Sequence, residues 1–154
     1  MEILPDDLEI LQEAADFYYE AACLHEDVDL DPEDHLEVVL RAFLSSDCDA
    51  FAQVLSELTG WPTRVVTWSV PVFGFGHHTV CVSPDGSFVD IAGRLTLDEM
   101  AERYGVEKSA LKVGPEGGQM LSGVDLDDEG RDRIERIIGV CLREIVDIRP
   151  HIGP

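Results

Sequence analysis

The stretch His77–Gly93, "HHTVCVSPDGSFVDIAG", decides how this chain folds. Two runs rich in β-branched and apolar residues, "HHTVCVS" and "SFVDIAG", are joined by Pro84-Asp85-Gly86, a turn sequence whose glycine accepts a positive φ. The stretch reads as a β-hairpin. Immediately upstream, after Pro62, "TRVVTWSVPVF" has the alternating and continuous apolar pattern of another strand.

On both sides of this block the apolar period lengthens to that of a helix. From Pro5 to about Leu24, Leu8, Leu11, Ala15, Tyr18 and Ala22 form one stripe, and Pro5 with Asp6 and Asp7 suits a first helical turn. In "DPEDHLEVVLRAFLSS", Asp31 is the expected N-cap, Pro32 the first helical residue, and Leu36, Val39, Leu40 and Phe43 the buried face. A third helix starts near Cys48 and stops at Gly60, the usual C-terminal glycine. Downstream, Thr96 and Glu99 are spaced as a capping box for "TLDEMAERYG", and "VEKSALKVGPEGGQM" reads as a strand followed by a glycine-rich loop. A long closing helix presents Ile134, Ile137, Ile138, Cys141, Ile145 and Ile148. The order is α+β: N-terminal helices, a small antiparallel sheet and a C-terminal helix, in one domain over residues 1–154. "GFG" at Gly74–Gly76 precedes a strand pattern, whereas a phosphate cradle needs a helix after it.

Composition narrows the function classes. With 32 Asp and Glu against 11 Lys and Arg, the formal net charge of −21 argues against direct binding to nucleic acid or to an anionic membrane, both of which require basic residues. No apolar run reaches spanning length and the N-terminus is acidic, so a cytoplasmic protein is expected. Cys23, Cys48, Cys81 and Cys141 form no CxxC pair, which suggests neither a zinc knuckle nor a redox dithiol. Cys23 and Cys141 lie among apolar neighbours, where free cysteine behaves as a small hydrophobe.

Cys48 is different, because in "SSDCDAF" it opens a helix, where backbone N–H groups and the macrodipole favour a thiolate. Thiol catalysis also needs an imidazole to hold the proton and a polar group to orient the ring. His78 opens a strand and Asp90 ends the next one, which makes Cys48, His78 and Asp90 the candidate nucleophile, base and orienter. If the turn is tight at Asp85 and Gly86, paired residues sum to about 171, and His78 lies three pairs from Asp90, roughly 10 Å at about 3.4 Å per residue. Asp47 and Asp49 beside the thiol would raise its pKa unless they point away. His77 lies on the opposite face with Thr79 and Cys81, and Trp61, Trp68, Phe73 and His77 are candidates to line a substrate cleft. Consecutive strand residues diverge and neither HxH nor HExxH accompanies the histidine pair, so no metal and no cofactor is expected.

These residues carry a resemblance. "DCDAF" is similar to the "DCSGF" opening of NlpC-type cell-wall peptidases, and "HHTVCVSPDGSFVDIAG" resembles the His-strand, PDG turn and Asp-strand block of small bacterial and phage-type papain-like proteins. The resemblance covers about Ser45 to Tyr104 and implies a papain-like fold with Cys48 as nucleophile, His78 as base and Asp90 as orienter. It departs from papain in having no glutamine within Leu40–Asp47, which leaves the Cys48 backbone N–H as one oxyanion donor and Ser45 or Ser46 as the candidate second. The expected function is a thiol hydrolase or acyltransferase acting on a peptide or isopeptide amide in a peptide or protein substrate. The alternative is a catalytically inactive, acidic papain-like protein that occupies a basic partner's site.

Overall fold

In a computed structural model of the chain, residues 3–26, 30–45, 47–70, 74–117 and 126–146 are described. Helix α1 (Pro5–Glu26), α2 (His35–Ser45) and α3 (Cys48–Thr59) precede a sheet of β1 (Thr63–Val70), β2 (Gly74–Val82), β3 (Phe88–Asp90) and β4 (Gly93–Leu95). Then come α4 (Leu97–Tyr104), a 3₁₀ turn at Lys108–Ala110, the short β5 (Lys112–Val113) and α5 (Asp128–Cys141). All strand pairs are antiparallel, in the order β4-β3-β2-β1-β5. The expected α+β order is thus the observed one.

Local chemistry explains most boundaries. Gly60 closes α3 at φ 77°, donating its N–H to the Ser56 carbonyl. Thr96 and Glu99 form the capping box of α4 in both directions. Helix α2, by contrast, starts a turn later than Asp31 and Pro32 suggest. Asp31 accepts from the Glu33 N–H in a local turn, and Asp34, whose carboxylate accepts from the Glu37 N–H at 3.3 Å, stands at the cap position instead. "SFVDIAG" is divided between β3 and β4 by a turn at Ile91 and Ala92, and "GFG" belongs to β2.

The decisive correction lies in the hairpin. The Ser83 N–H donates to the Ser87 carbonyl at 2.9 Å, so the loop holds three residues, Pro84, Asp85 and Gly86, with Gly86 at φ 88°. Cys81 pairs with Val89 and Val82 with Phe88, a sum of 170 in place of 171. Continuing that register puts Val80 across from Asp90, and His78 becomes its diagonal neighbour on the same face, within side-chain reach.

The sheet separates two cores. Cys81, Val89 and Ile91 pack with the buried faces of α1, α2, α3 and α5, including Leu11, Val38, Phe43, Val54, Ile134 and Ile138. On the other face Val66, Val80, Leu95 and Met100 form a smaller cluster joined by Phe88, Tyr104 and Leu111. Arg143 beyond α5 pairs with the buried Asp7 of α1, which ties the two ends of the domain together. Leu8 stays 45% exposed, and Ile148 lies outside the described residues.

Candidate active site

Strand β2 is longer than its neighbour β3, and the site forms at the edge this leaves. Residues 83 and 87 are a hydrogen-bonded pair, and alternation along an antiparallel ladder makes 81 and 89 the next one. The following position on β2 is Thr79, but β3 ends at Asp90 and offers its N–H no partner. That N–H faces the sulfur of Cys48, the first residue of α3, and favours the thiolate there.

This edge position also explains how two adjacent histidines reach one sulfur. His77 and His78 point to opposite faces of β2, yet both rings stand near enough to Cys48 to favour its thiolate, which a sulfur beside the strand permits and a sulfur above either face does not. Burial by itself would raise the thiol; the two imidazoles and the Thr79 N–H outweigh it and bring the Cys48 pKa down to about 6. Burial pushes the thiols of Cys81 and Cys141 up to about 12, with no comparable donors to offset it.

On one face, His78 Nε2 lies 2.9 Å from Asp90 Oδ2. The ring is 0% exposed and Asp90 2%. Burial opposes charge on the ring, but Asp90 and Cys48 overcome that and raise its pKa. Asp90 Oδ2 also accepts from Arg103, and its Oδ1 accepts from the Ala92 N–H at 2.9 Å. Burial of the carboxyl is overcome by His78 and Arg103, which hold it below the ordinary carboxylate range. Tyr104 stacks 5.4 Å from the His78 ring and 4.7 Å from Trp68, and its hydroxyl donates to the Leu44 carbonyl at 2.9 Å. Nδ1 of His78 is buried and has no partner at full hydrogen-bond geometry, the loose contact with sulfur common to unliganded thiol–imidazole pairs.

On the other face, His77 Nε2 lies 3.5 Å from Asp49 Oδ2, and the Thr79 hydroxyl donates to Asp49 Oδ1. Asp49 first and Cys48 second bring the His77 pKa up to about 10 against the opposing effect of burial. Asp49 therefore spends its charge on an imidazole and a hydroxyl, which relieves the repulsion expected beside the thiol. The His77 side chain is 31% exposed, in contrast to the sealed His78.

The aromatic candidates separate. Trp68 is buried behind His78 through Tyr104 and lines a cavity with Thr67, Ser69, Phe75, Ala110 and Lys112. Trp61 follows Gly60 at the far end of α3 and packs on the helical core, with α3's 12 residues, about 18 Å of helix, between it and the site. Phe73, Ser46 and the side chain of Ser45 lie outside the described residues. Arg103, Tyr104, Asp49 and Thr79 complete the site without standing out in the sequence. Arg103 carries one local signal, its place in the last turn of α4, whose capping box fixes where that helix begins.

Among the described residues no helix is long and apolar enough to cross a membrane. Comparison with family models, curated proteins and solved structures finds no match for this chain.

Proposed function

We propose that the protein is a cysteine-dependent hydrolase or acyltransferase acting on a peptide or isopeptide amide, built on a papain-like fold. One observation carries this reading: Asp90 holds Nε2 of His78, which leaves Nδ1 as the ring nitrogen for the sulfur of a helix-opening cysteine. The Cys48 thiolate attacks the acyl carbon, forming a C–S bond, and the carbonyl oxygen takes the negative charge with the Cys48 backbone N–H as one donor. As the C–N bond breaks, an imidazolium proton passes to the leaving nitrogen. His77 is the ring with surface open to that leaving group, while His78 and Asp90 sustain the thiolate from the buried side. Water or an acceptor amine then takes the acyl group from sulfur, and the proton it gives up returns to the imidazole.

A second reading has its own observation. Cys48 is 2% exposed in a chain of net charge −21, which suits an acidic protein that keeps this fold and occupies a basic partner's site. Incubation with a peptide thioester followed by intact-mass analysis separates the two. An acyl adduct on Cys48, absent from Cys48→Ala, supports the enzyme. Absence of any adduct, together with salt-sensitive binding to a basic protein that survives Cys48→Ser, supports the binder.

A further inference from the structure

We propose that Cys48, Asp49 and His77 form a binding site for a thiophilic divalent cation of the zinc type, and that the ion, when bound, takes the sulfur out of acyl chemistry. A thiolate, an imidazole and a carboxylate converge here from α3 and β2, and their donor atoms all lie within 4.8 Å of one another. This mixed donor set is the one that borderline-soft zinc favours, whereas magnesium and calcium prefer oxygen alone.

The donor separations can be compared with those of a tetrahedral centre. Bond lengths of about 2.0–2.1 Å to nitrogen and oxygen and about 2.3 Å to sulfur require donor separations of about 3.4 Å and 3.6 Å respectively. The imidazole and carboxylate already stand 3.5 Å apart, between Nε2 of His77 and Oδ2 of Asp49. No separation in the set exceeds 4.8 Å, so the donors close by at most about 1.2–1.4 Å, a side-chain adjustment.

Support behind the donors is already built. The Thr79 hydroxyl holds Oδ1 of Asp49, which orients the carboxylate and leaves Oδ2 to face His77. Two anionic donors flank one ring, so the electrostatics that favour a proton on His77 favour a dication in its place. Three protein ligands leave a fourth position for water or a substrate atom. His78, Asp90 and Arg103 lie outside the set, so the ion does not disturb the pair that orients the buried ring.

The test uses the full chain, stripped with a chelator and titrated with Co²⁺ as a spectroscopic substitute for Zn²⁺. The expected result is an ultraviolet thiolate-to-cobalt charge-transfer band that saturates at one ion per chain and persists in a large excess of Mg²⁺. Cys48→Ser should abolish the band, His77→Ala and Asp49→Asn should weaken affinity at least tenfold, and Cys141→Ser should keep it. Melting curves of each variant identify any that fails to fold, and Zn²⁺ protection of Cys48 from alkylation in the unaltered chain gives a readout free of substitutions. Cobalt bound without the band, a band surviving Cys48→Ser, displacement by Mg²⁺ or no protection of Cys48 would each overturn the site. Reactivity of Cys48 in chelator, measured separately, tests the thiol reading, so the two ideas fail independently.

Discussion

Nε2 of His78 stands 2.9 Å from Oδ2 of Asp90, although the two residues are twelve apart and on different strands. The contact depends on the three-residue loop at Pro84–Gly86, which offsets β3 by one position and makes the pair diagonal neighbours. Because Nε2 is thus occupied, only Nδ1 remains for the sulfur of Cys48. The thiol, the orienting carboxylate, the second histidine and the aromatic backing of the ring can each be tested in turn.

Cys48 should be the first of the four cysteines to alkylate. With its pKa brought down to about 6, roughly 90% is thiolate at pH 7, whereas Cys81 and Cys141, at about 12, are almost wholly protonated. The Cys48 rate with iodoacetamide in chelator should rise through pH 6 and flatten from 7 to 9. Peptide mapping by mass spectrometry reads each site, and a Cys48 rate still climbing tenfold per unit at pH 9 rules out the lowered pKa.

Asp90→Asn and Asp90→Ala should part company. Asparagine still presents an oxygen to the Nε2 proton of His78, so Cys48 alkylation should stay within a few-fold of the unaltered chain. Alanine removes that acceptor, frees the ring and strands the Arg103 guanidinium, so the rate at pH 7 should fall at least tenfold. Equal rates for both variants and the parent across pH 5 to 9 would show that Asp90 does not orient the ring.

Asp49→Asn should move the titration of His77 from about 10 back toward the ordinary histidine value, as read by NMR of the ring protons. A raised pKa fixes the sign for stability. The charged ring contributes fully below about 6.5 and loses that contribution as the pH rises through about 10. The lowered thiol works in the opposite sense, its contribution being present at high pH and lost as the pH falls through about 6. The melting-temperature gap between parent and Asp49→Asn should therefore be widest just below pH 6.5, where the carboxylate is still ionised, and narrow toward pH 10. A gap that widens with alkali contradicts the pairing.

Gly76→Ala should destabilise the domain even though a strand tolerates alanine. A Cβ at Gly76 would sit 2.5 Å from Nε1 of Trp68, so the indole must move, and with it the Trp68–Tyr104 stack behind His78. Overpacking of this kind costs about 1–3 kcal/mol. Denaturant unfolding followed by tryptophan fluorescence measures it, and a midpoint equal to the parent's would show that the indole has room to give.

The sequence by itself determined the elements whose causes are local. Apolar spacing along α1, α3 and α5, the Gly60 stop, the capping box at Thr96 and Glu99 and the Pro-Asp-Gly turn all act over about four residues, and each is legible from the order of residues alone. The cysteine at a helix start is legible for the same reason. Contacts between distant residues were decided by tertiary packing. A turn of two residues or three is equally written as Pro-Asp-Gly, and only the folded hairpin selects the register that brings His78 to Asp90. Thr79 meets Asp49 across 30 residues, and Arg103 meets Asp90 because α4 lies against the sheet. Strand alternation accounts for the divergence of His77 and His78 along β2, but not for their shared approach to Cys48. That approach arises because α3 delivers the sulfur to the edge of the strand, a placement set by helix-on-sheet packing that no pattern within either segment encodes.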